Sequence, residues 1–323
     1  MNRNIITIAT GKKLYMDLAV NLARSFFLWH RSADISFYIV TDNPQLFPDD
    51  ITKLVKIITI KPGELGEGFS PKLYLDKLAP DGQTLFIDSD CLIFGDLSFI
   101  FKQFKGHSVS VVGNYIEDGE WFGDVAAICR RFNIPHLPKF NGGIYYLENG
   151  PEAVKVYNKA RELEKQYDQI GFRRLRNRPN DEVLMALAMQ LYNQKPVDDD
   201  GTIMAEFVNF QSGIKSDLLS GTVELYNTPS HPNYQPSWHL QVAKPQIVHF
   251  LGHHNKLIPY IKEARQLKYI FEDKFSERKS RALTFTVITL PFKMLLYSKR
   301  IFRPLYHSIM GVRKIKKSER IID

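Results

Sequence analysis

Strand-like and helix-like segments alternate through the first 110 residues of the chain. A short β-rich run at 4–10 is followed by a helical pattern at 13–30, in which apolar side chains recur every four residues, and then by a second strand at 35–41. A period near four indicates a helix, whereas short β-branched and aromatic runs indicate strands. This alternation predicts βαβ units and a mostly parallel sheet. We therefore expect an α/β fold, doubly wound, with a sheet flanked by helices.

The later segments extend this pattern. They are read as a third strand at 51–60, helices at 71–79, 151–169 and 181–192, and strands at 84–90, 108–112, 142–148 and 246–250. Residues 195–245 are rich in Gly, Pro and Asn, and the order of elements there cannot be read from the sequence. Ligands of such sheets bind at the carboxyl ends of strands. The strand ends at residues 10, 88 and 249 are therefore where we expect a site.

The composition is that of an ordinary globular protein. Of 323 residues, 44% are hydrophobic and 24% are charged, which excludes collagenous, disordered and disulfide-scaffold chains. Two cysteines, Cys91 and Cys129, form no framework of bridges and are typical of a reducing compartment. The apolar run near the N-terminus spans about five residues, shorter than a secretory signal requires. We expect no signal peptide, no conventional membrane span and a cytoplasmic location.

The basic charge is concentrated in residues 274–320. This segment contains 13 Lys or Arg and 2 acidic residues, a local charge of +11 against +8 for the whole chain, which leaves −3 for the remainder. A basic nucleic-acid footprint across the folded body is thereby excluded. Aromatic and apolar side chains interleave with the basic ones, which favours the anionic membrane interface. An amphipathic helix packed on the body and a homodimer contact are the alternatives, and RNA binding is less favoured.

Two carboxylates, Asp88 and Asp90, follow an apolar run and precede another, with Ser89 between them. Carboxylates at the end of a buried strand repel each other and lose hydration unless a cation or a set of donors compensates them. A divalent metal that carries a diphosphate is one such compensator. The alternative is a strand-end turn with two solvated acids, because a bare Asp-x-Asp is common.

His249 ends another short apolar strand, and Gly252 and Lys256 follow it. An imidazole added to two carboxylates makes a mixed nitrogen and oxygen site, which suits Mn²⁺ better than Mg²⁺. A glycine lets the backbone approach a phosphate, and a lysine supplies the counter-charge. The alternative is a core histidine at a strand end with a surface lysine nearby.

Six motifs occur in a fixed order between residues 4 and 256. They read ITIATGKKLYMDLAVNLARS, SPKLYLDKL, TLFIDSDCLIFGDL, KFNGGIYYLENG, NDEVLMAL and HFLGHHNK. In this order they resemble the GT-A glycosyltransferases, and most closely the family-8 retaining transferases that include glycogenin and bacterial galactosyltransferases. The resemblance implies a GT-A nucleotide-sugar-binding domain over 1–260 and a basic, aromatic helical extension over 261–323. It also implies a UDP-sugar donor and Mn²⁺ as cofactor, with Mg²⁺ as the substitute.

Carried over residue by residue, the resemblance assigns roles to each motif. Ala9 and Thr10 would contact the nucleotide through their backbone, and Tyr15 would stack on the base. The full set implied comprises nucleotide contacts from Ala9, Thr10, Tyr15, Lys72, Ser89, Gly252 and Lys256, metal ligation by Asp88, Asp90 and His249, and donor-sugar contacts from Asn141, Gly142, Gly143 and Asp181. Each has a plainer reading, in which Tyr15 is a core residue, Asn-Gly-Gly a simple turn and Lys72 a solvated helix end.

Two positions depart from the family pattern. The family usually places its lysine three residues after the glycine, but here Asn255 holds that position and Lys256 comes one residue later. Most relatives carry Gln where this chain has Glu182, beside Asp181. A carboxylate there is able to act as a nucleophile toward the anomeric carbon. We favour instead stabilisation of an oxocarbenium-like state. Asp181 and Glu182 are thus the catalytic candidates.

The sequence as a whole predicts a hexosyltransferase at the inner membrane surface. The expected acceptor is a glycan or lipid-linked glycan, in the synthesis of a surface polysaccharide such as lipopolysaccharide. A phosphatase of the haloacid dehalogenase type also uses Asp-x-Asp after an apolar strand, but Leu92 stands where its motif has Thr. A sugar-nucleotide or glycan-binding protein without turnover is the other alternative, because Glu182 and Lys256 depart from the family pattern.

Overall fold

A computed structural model describes residues 2–31 and 34–312 of the chain. The chain divides into two compact units, Met1–Gly252 and His253–Asp323. The boundary expected between residues 260 and 261 lies inside a helix, Ile258–Phe271. The last part of the predicted basic extension, residues 313–323, lies outside the described residues.

The strands of the first unit are mostly short. They are β1 (Arg3–Ile8), β2 (Ile35–Thr41), β3 (Lys56–Thr59), β4 (Gln83–Ile87), β5 (Cys91–Ile93), β6 (Val109–Ser110), β7 (Gly113–Ile116), β8 (Leu137–Phe140), β9 (Ile144–Glu148), β10 (Met204–Glu206), β11 (Gly213–Asp217), β12 (Thr222–Tyr226), β13 (Val242–Ala243) and β14 (Ile247–His249).

The helices of the first unit lie between these strands. They are α1 (Lys13–Trp29), α2 (Asp49–Thr52), α3 (Leu75–Leu78), α4 (Ser98–Gln103), α5 (Val125–Phe132), α6 (Pro151–Glu164), α7 (Tyr167–Ile170) and α8 (Asp181–Leu191). Short 3₁₀ helices occur at Pro44–Leu46, Ser70–Tyr74, Phe207–Asn209 and Leu218–Ser220.

The central sheet has the strand order β3-β2-β1-β4-β9-β6. The pairs β3–β2, β2–β1 and β1–β4 are parallel, whereas β9 runs antiparallel to both β4 and β6. A small second sheet, β10-β14-β5, pairs β10 with β14 in parallel and β14 with β5 antiparallel. The mostly parallel α/β sheet expected from the sequence is therefore confirmed.

The core lies on both faces of the central sheet because neighbouring residues of each strand point to opposite faces. Ile5 and Leu85 belong to a cluster that contains the buried face of α1, including Phe26. Ile6 and Phe86 belong to a second cluster, which contains the buried side chains of α6 and α8. Each fully buried aliphatic or aromatic side chain contributes about 1.5–3 kcal/mol. Helices thus cover both faces, as a doubly wound fold requires.

Several predicted elements differ from the observed ones in extent. The run 51–60 contains the end of α2 and then β3, because the acidic Asp49 and Asp50 favour a helical first turn just before it. The predicted helix 71–79 begins as a 3₁₀ turn around Pro71. The predicted strand 84–90 ends at Ile87, so that both carboxylates lie in the turn that follows it. The segment 195–245 contains β10 to β13.

The described part of the second unit is helical. It contains α9 (Ile258–Phe271), α10 (Glu277–Thr284), a π-helical stretch at Phe285–Thr289 and α11 (Leu290–Met310). Pro291 lies in the first turn of α11, directly after the π-helical stretch, and Pro304 lies inside the helix. None of the helices in the described ranges is sufficiently long and apolar to cross a bilayer.

Candidate active site

The site lies where β1, β4, β10 and β14 end. Asp88 follows β4, and its backbone N–H donates to the carbonyl of Gly143 at 2.9 Å, which joins the carboxylate turn to the loop before β9. His249 ends β14 opposite Glu206 of β10 and Cys91 of β5. The strand ends predicted from the sequence at 88 and 249 are therefore brought together.

Asp90, His249 and Asn141 form one hydrogen-bonded line. Nε2 of His249 lies 3.0 Å from Oδ1 of Asp90, and Nδ1 lies 2.8 Å from Oδ1 of Asn141. The same Asn141 oxygen accepts the N–H of Gly143 at 2.9 Å, so the Nδ1–H of His249 donates to it and Nε2 faces the carboxylates. Burial opposes the charge of His249, but Asp90 and Asp88 raise its pKa. Burial likewise opposes the charge of Asp90, whose pKa His249 lowers.

Lys72 joins the two acidic parts of the site. Its Nζ lies 2.7 Å from Oδ2 of Asp88, 2.7 Å from the carbonyl oxygen of Gly142 and 3.7 Å from Oδ2 of Asp181. Burial opposes the lysine charge, but the carboxylates of Asp181 and Asp88 raise its pKa. Burial also raises the pKa of Asp88 in spite of this partner. Lys72 is therefore a charged partner of the carboxylates and not a solvated helix end.

Asp181 and Glu182 begin α8. The side chain of Asn180 caps the helix by accepting the N–H of Glu182 at 2.7 Å. Oδ2 of Asp181 accepts the hydroxyl of Tyr145 at 2.5 Å, and Oε1 of Glu182 accepts the N–H of Gly142 at 2.8 Å. Burial, followed by the neighbouring charge of Asp181, raises the pKa of Glu182 to about 8. Burial therefore favours the neutral form of Glu182, and its Oε1 holds the glycine loop.

The Asn-Gly-Gly loop leaves no room for side chains at its two glycines. A β-carbon on Gly142 would lie 2.9 Å from Oδ2 of Asp181, and one on Gly143 would lie 2.6 Å from Nδ1 of His249. Both distances are shorter than real contacts of a β-carbon, so glycine is required by close approach. The loop is thus built into the site and is not a simple turn.

The residues present fit a divalent cation with oxygen and nitrogen ligands. Among the described residues, Asp90, Cys91 and His249 offer ligand atoms within 4.8 Å of one another, and Oδ2 of Asp88 lies 3.8 Å from Nε2 of His249. Cys91 is fully buried, and burial raises the pKa of its thiol well above the usual range. Because a hard cation prefers a carboxylate to a protonated thiol, the donor set that fits is Asp88, Asp90 and His249.

The residues predicted for the nucleotide lie at the end of β1 and the start of α1. Ala9 is buried, whereas Tyr15 is 41% exposed and is thus available to a ligand rather than part of the core. Gly11, with φ of +77°, donates its N–H to both carboxylate oxygens of Asp42 at 3.0 Å. The sequence pattern at Asp42 predicts only a turn. Its position after β2, beside the end of β1, is the signal that would have found it.

The remaining predicted residues are less closely tied to this cluster. Thr10 precedes Gly11, and Ser89 is 7% exposed between the two acids. Gly252 has φ of +67° and is the last residue of the first unit. Lys256 belongs to the second unit, so its contact with a diphosphate stays a prediction.

Glu206 is a buried carboxyl group that sequence reasoning missed. It ends β10, accepts the side-chain N–H of Asn209 at 2.9 Å and is 4% exposed. Burial, followed by the charge of Asp199, raises the pKa of Glu206 to about 7. No motif marks it, because its place beside His249 depends on parallel pairing with a distant strand.

No family model and no curated protein matches the chain. Among solved structures, the galactosyltransferase LgtC, in complex with donor and acceptor sugar analogues, is similar with a TM-score of 0.50 and 12% identity, over 77% of this chain and 87% of that one. The glycosyltransferase GlyE of Streptococcus pneumoniae TIGR4 is similar with a TM-score of 0.43 and 12% identity, over 65% of this chain and 48% of GlyE. Mouse xyloside xylosyltransferase 1 is similar with a TM-score of 0.44 and 14% identity, over 77% of this chain and 97% of that one.

The similarity to the galactosyltransferase LgtC, at 12% identity, concerns the fold. The chain therefore has the GT-A fold of glycosyltransferases and resembles those of family 8, as the order of its motifs predicted.

Proposed function

We propose that the chain is a glycosyltransferase that moves a hexose from a UDP-sugar to a glycan or lipid-linked acceptor. One observation carries this proposal. On a GT-A fold, the ammonium group of Lys72 lies between the carboxylates of Asp88 and Asp181. Asp88 is suited to bind a metal, and Asp181 is suited to accept sugar hydroxyls. A donor with a diphosphate and a sugar needs both kinds of group side by side.

The proposed metal ligands are Asp88, Asp90 and His249. A bound Mn²⁺ would act as a Lewis acid on the diphosphate. Asn141 fixes the imidazole, because it accepts Nδ1–H and leaves Nε2 directed at Asp90. Mg²⁺ is the substitute, although an imidazole ligand favours Mn²⁺.

The nucleotide is proposed to bind at the end of β1. Ala9 and Thr10 would offer backbone groups, and the exposed ring of Tyr15 would stack on the base. Ser89 would contact the donor from the carboxylate turn. Gly252 and Lys256 would close over the diphosphate, with Lys256 as the counter-charge.

The donor sugar is proposed to lie against the Asn-Gly-Gly loop and α8. Asp181, held by the hydroxyl of Tyr145, would accept sugar hydroxyls. Burial raises the pKa of Glu182, and its Oε1 already accepts the N–H of Gly142; both observations argue against a carboxylate nucleophile. The carboxyl dipole of Glu182 would stabilise an oxocarbenium-like state of the donor sugar. This is consistent with a retaining reaction in which UDP leaves from the face that the acceptor attacks.

The acceptor is proposed to be presented at the cytoplasmic face of a membrane, as in surface polysaccharide synthesis. The part of segment 274–320 that is described, up to residue 312, places large apolar side chains in solvent, among them Met294, Tyr297 and Ile309. Basic side chains of the same helix would meet anionic lipid.

Thermal unfolding with UDP, GDP, CDP and dTDP, each with and without Mn²⁺, tests the donor class. A ligand at 100 times its dissociation constant adds about 2.7 kcal/mol to the stability of the protein. We expect a rise in Tm with UDP that requires Mn²⁺ and is lost in Asp90→Ala. Release of UDP from UDP-glucose, UDP-galactose or UDP-N-acetylglucosamine then tests turnover.

The two alternatives predict other results. A phosphatase would bind a phosphate mimic covalently at Asp88 and show no nucleotide preference. A binding protein without turnover would bind a UDP-sugar and release no UDP. The absence of any Tm change with all four nucleotides would contradict the proposed donor.

A further inference from the structure

Residues 228–241 form a compact loop that Asn227 holds in place. Asn227 is fully buried, and its side chain donates to the carbonyl of Gln235 at 2.9 Å and accepts the N–H of Gln235 at 2.8 Å. Its backbone N–H donates to the carbonyl of Gln241 at 2.7 Å. One side chain therefore ties the middle of the loop to its base. Such a loop presents its side chains in a fixed arrangement, which favours a binding role.

Trp238 of this loop lies edge-on against the buried ring of Phe210, with ring centroids 6.3 Å apart and an interplanar angle of 82°. The ring of His239 lies next to it, with centroids 4.9 Å apart. Trp238 is half-buried, and its indole N–H has no hydrogen-bond acceptor within the described part of the chain. Because this N–H is itself buried, the half-buried Trp238 offers its ring surface to a ligand as a platform, and not a donor, and Phe210 holds that ring in place.

Asp199 borders the same platform. Nε2 of His239 lies 2.9 Å from the carbonyl oxygen of Asp199 and 3.8 Å from its Oδ2. The side chain of His239 is 42% exposed, and that of Asp199 is 13% exposed. The next turn is tightly packed on the loop, because a β-carbon on Gly201 would lie 2.8 Å from Cδ1 of Leu240. A carboxylate and an imidazole thus stand beside an aromatic ring.

The chain connects this platform to the candidate active site. Phe210 follows the 3₁₀ helix that begins directly after Glu206, and Glu206 pairs with His249. The charge of Asp199 also acts on the carboxyl group of Glu206. Trp238 therefore packs on the segment that follows Glu206, the residue paired with the proposed metal ligand His249.

An aromatic face bordered by a carboxylate and an imidazole suits a sugar ring, whose C–H face packs on the indole while its hydroxyls meet the polar groups. We propose that Trp238, His239 and Asp199 form a binding subsite for a sugar ring of the acceptor. None of these three residues belongs to the cluster around Asp88, Asp90 and His249, so the proposal assigns the reacting hydroxyl to a neighbouring ring and gives the acceptor at least two sugars. The proposal rests on the proposed glycosyltransferase function and names its acceptor class.

Ligand-observed NMR on the full chain tests the subsite without turnover. The probes are maltose, lactose and chitobiose, together with glucose, galactose and N-acetylglucosamine, with UDP and Mn²⁺ present. We expect at least one disaccharide to bind more tightly than its monosaccharide. Trp238→Ala should weaken that binding about tenfold, whereas Trp238→Phe keeps a ring and should weaken it less. Tyr192→Ala, which removes an exposed ring at the end of α8, is the matched control and should have no effect.

The outcomes separate this proposal from the proposed function. Unchanged disaccharide binding by Trp238→Ala, or a wild type that binds UDP but none of the sugars, overturns the subsite and leaves the donor site intact. Sugar binding that depends on Trp238, in a protein that does not bind UDP, supports the subsite and contradicts the transferase. The Tm increase with UDP and Mn²⁺ should be equal in wild type and Trp238→Ala, which shows that the variant is folded.

Discussion

Nζ of Lys72 lies 2.7 Å from Oδ2 of Asp88 and forms, with Asp181 at 3.7 Å, a bridge between two acidic groups. The side chain of Lys72 is 14% exposed and that of Asp181 is 3% exposed. Without this cation the carboxylates would repel each other in a largely buried site. The lysine therefore stabilises the same arrangement that a donor diphosphate and sugar would use.

Lys72→Met should lower the free energy of unfolding by roughly 3 kcal/mol, because it leaves buried carboxylates without their cation. Urea unfolding at pH 7 measures the loss. The double variant Lys72→Met with Asp88→Asn removes one repelling charge and should recover part of the stability. Equal stability of wild type and Lys72→Met would show that the bridge contributes nothing.

Asn141→Ala should raise the dissociation constant for Mn²⁺ about 10–100-fold, because the imidazole of His249 loses the acceptor that fixes its Nδ1–H. Electron paramagnetic resonance of free Mn²⁺ measures this directly. Asn141→Asp keeps an oxygen at the same place and should bind Mn²⁺ at least as well as Asn141→Ala. Wild-type affinity in Asn141→Ala would contradict the positioning role.

Gly143→Ala should abolish tight Mn²⁺ binding and lower stability by about 1–3 kcal/mol, because its β-carbon would meet Nδ1 of His249 at 2.6 Å. The imidazole ring of His249 cannot move aside without breaking its hydrogen bond to Asn141. Gly213→Ala is the matched control, since its β-carbon would lie 3.7 Å from Cδ2 of Tyr226, an ordinary contact. If both variants bind Mn²⁺ like wild type, the glycine is not needed for the site.

Glu182→Gln should become more stable than wild type as the pH rises. The pKa of Glu182 is about 8 in the folded protein against an ordinary value of 4.5, so the folded state binds more protons between these values. The stability that this proton provides is complete below about pH 4.5 and is lost as the pH rises through about 8.

The amide introduced by Glu182→Gln does not titrate, and its oxygen still accepts the N–H of Gly142. The difference in unfolding free energy between Glu182→Gln and wild type should therefore increase by more than about 1 kcal/mol from pH 5 to pH 8.5. Urea unfolding at four pH values, with EDTA present, measures it. A difference that stays constant would mean that Glu182 is ionised throughout this range.

The fold and much of the site follow from local sequence. Neighbouring residues such as Ile5 and Ile6 point to opposite core clusters, and this double burial produces the apolar runs that predicted the strands. The sequence predicts Asp88 and His249 as neighbours because ligands of such sheets bind at the carboxyl ends of strands, although β4 and β14 belong to different sheets. Lys72 is expected from the family resemblance to contact the nucleotide, but its bridge between two carboxylates depends on the tertiary structure.

The segment 195–245 was not predictable because distant contacts hold it. Its strands are two to five residues long, and the loop after β12 depends on one buried side chain, Asn227. Glu206 owes its position to pairing with β14, more than forty residues away. Such short strands do not show the hydrophobic periodicity of a strand or a helix. The sequence therefore did not mark Glu206 or Trp238 as candidate site residues.

Replacing Lys299, Arg300 and Arg303 of α11 by Gln should weaken binding to vesicles that contain phosphatidylserine. Each basic residue near anionic lipid is worth about 1 kcal/mol, so the triple variant should bind roughly 100-fold more weakly. The effect should disappear in 1 M NaCl, where the Debye length is about 3 Å. Co-sedimentation with vesicles measures it, and vesicles of phosphatidylcholine alone show the contribution of apolar side chains.

The matched control replaces Lys53, Lys102 and Lys105, three exposed lysines of the first unit, by Gln and changes the net charge equally. This control variant should bind the vesicles like wild type. The electrostatic attraction to anionic lipid falls off within a Debye length, so only basic side chains that face the lipid contribute to it. Equal binding by the α11 variant and wild type would contradict the membrane role. A change in sedimentation velocity on substitution of Tyr297 and Ile309 would then point to a contact between two copies of the chain.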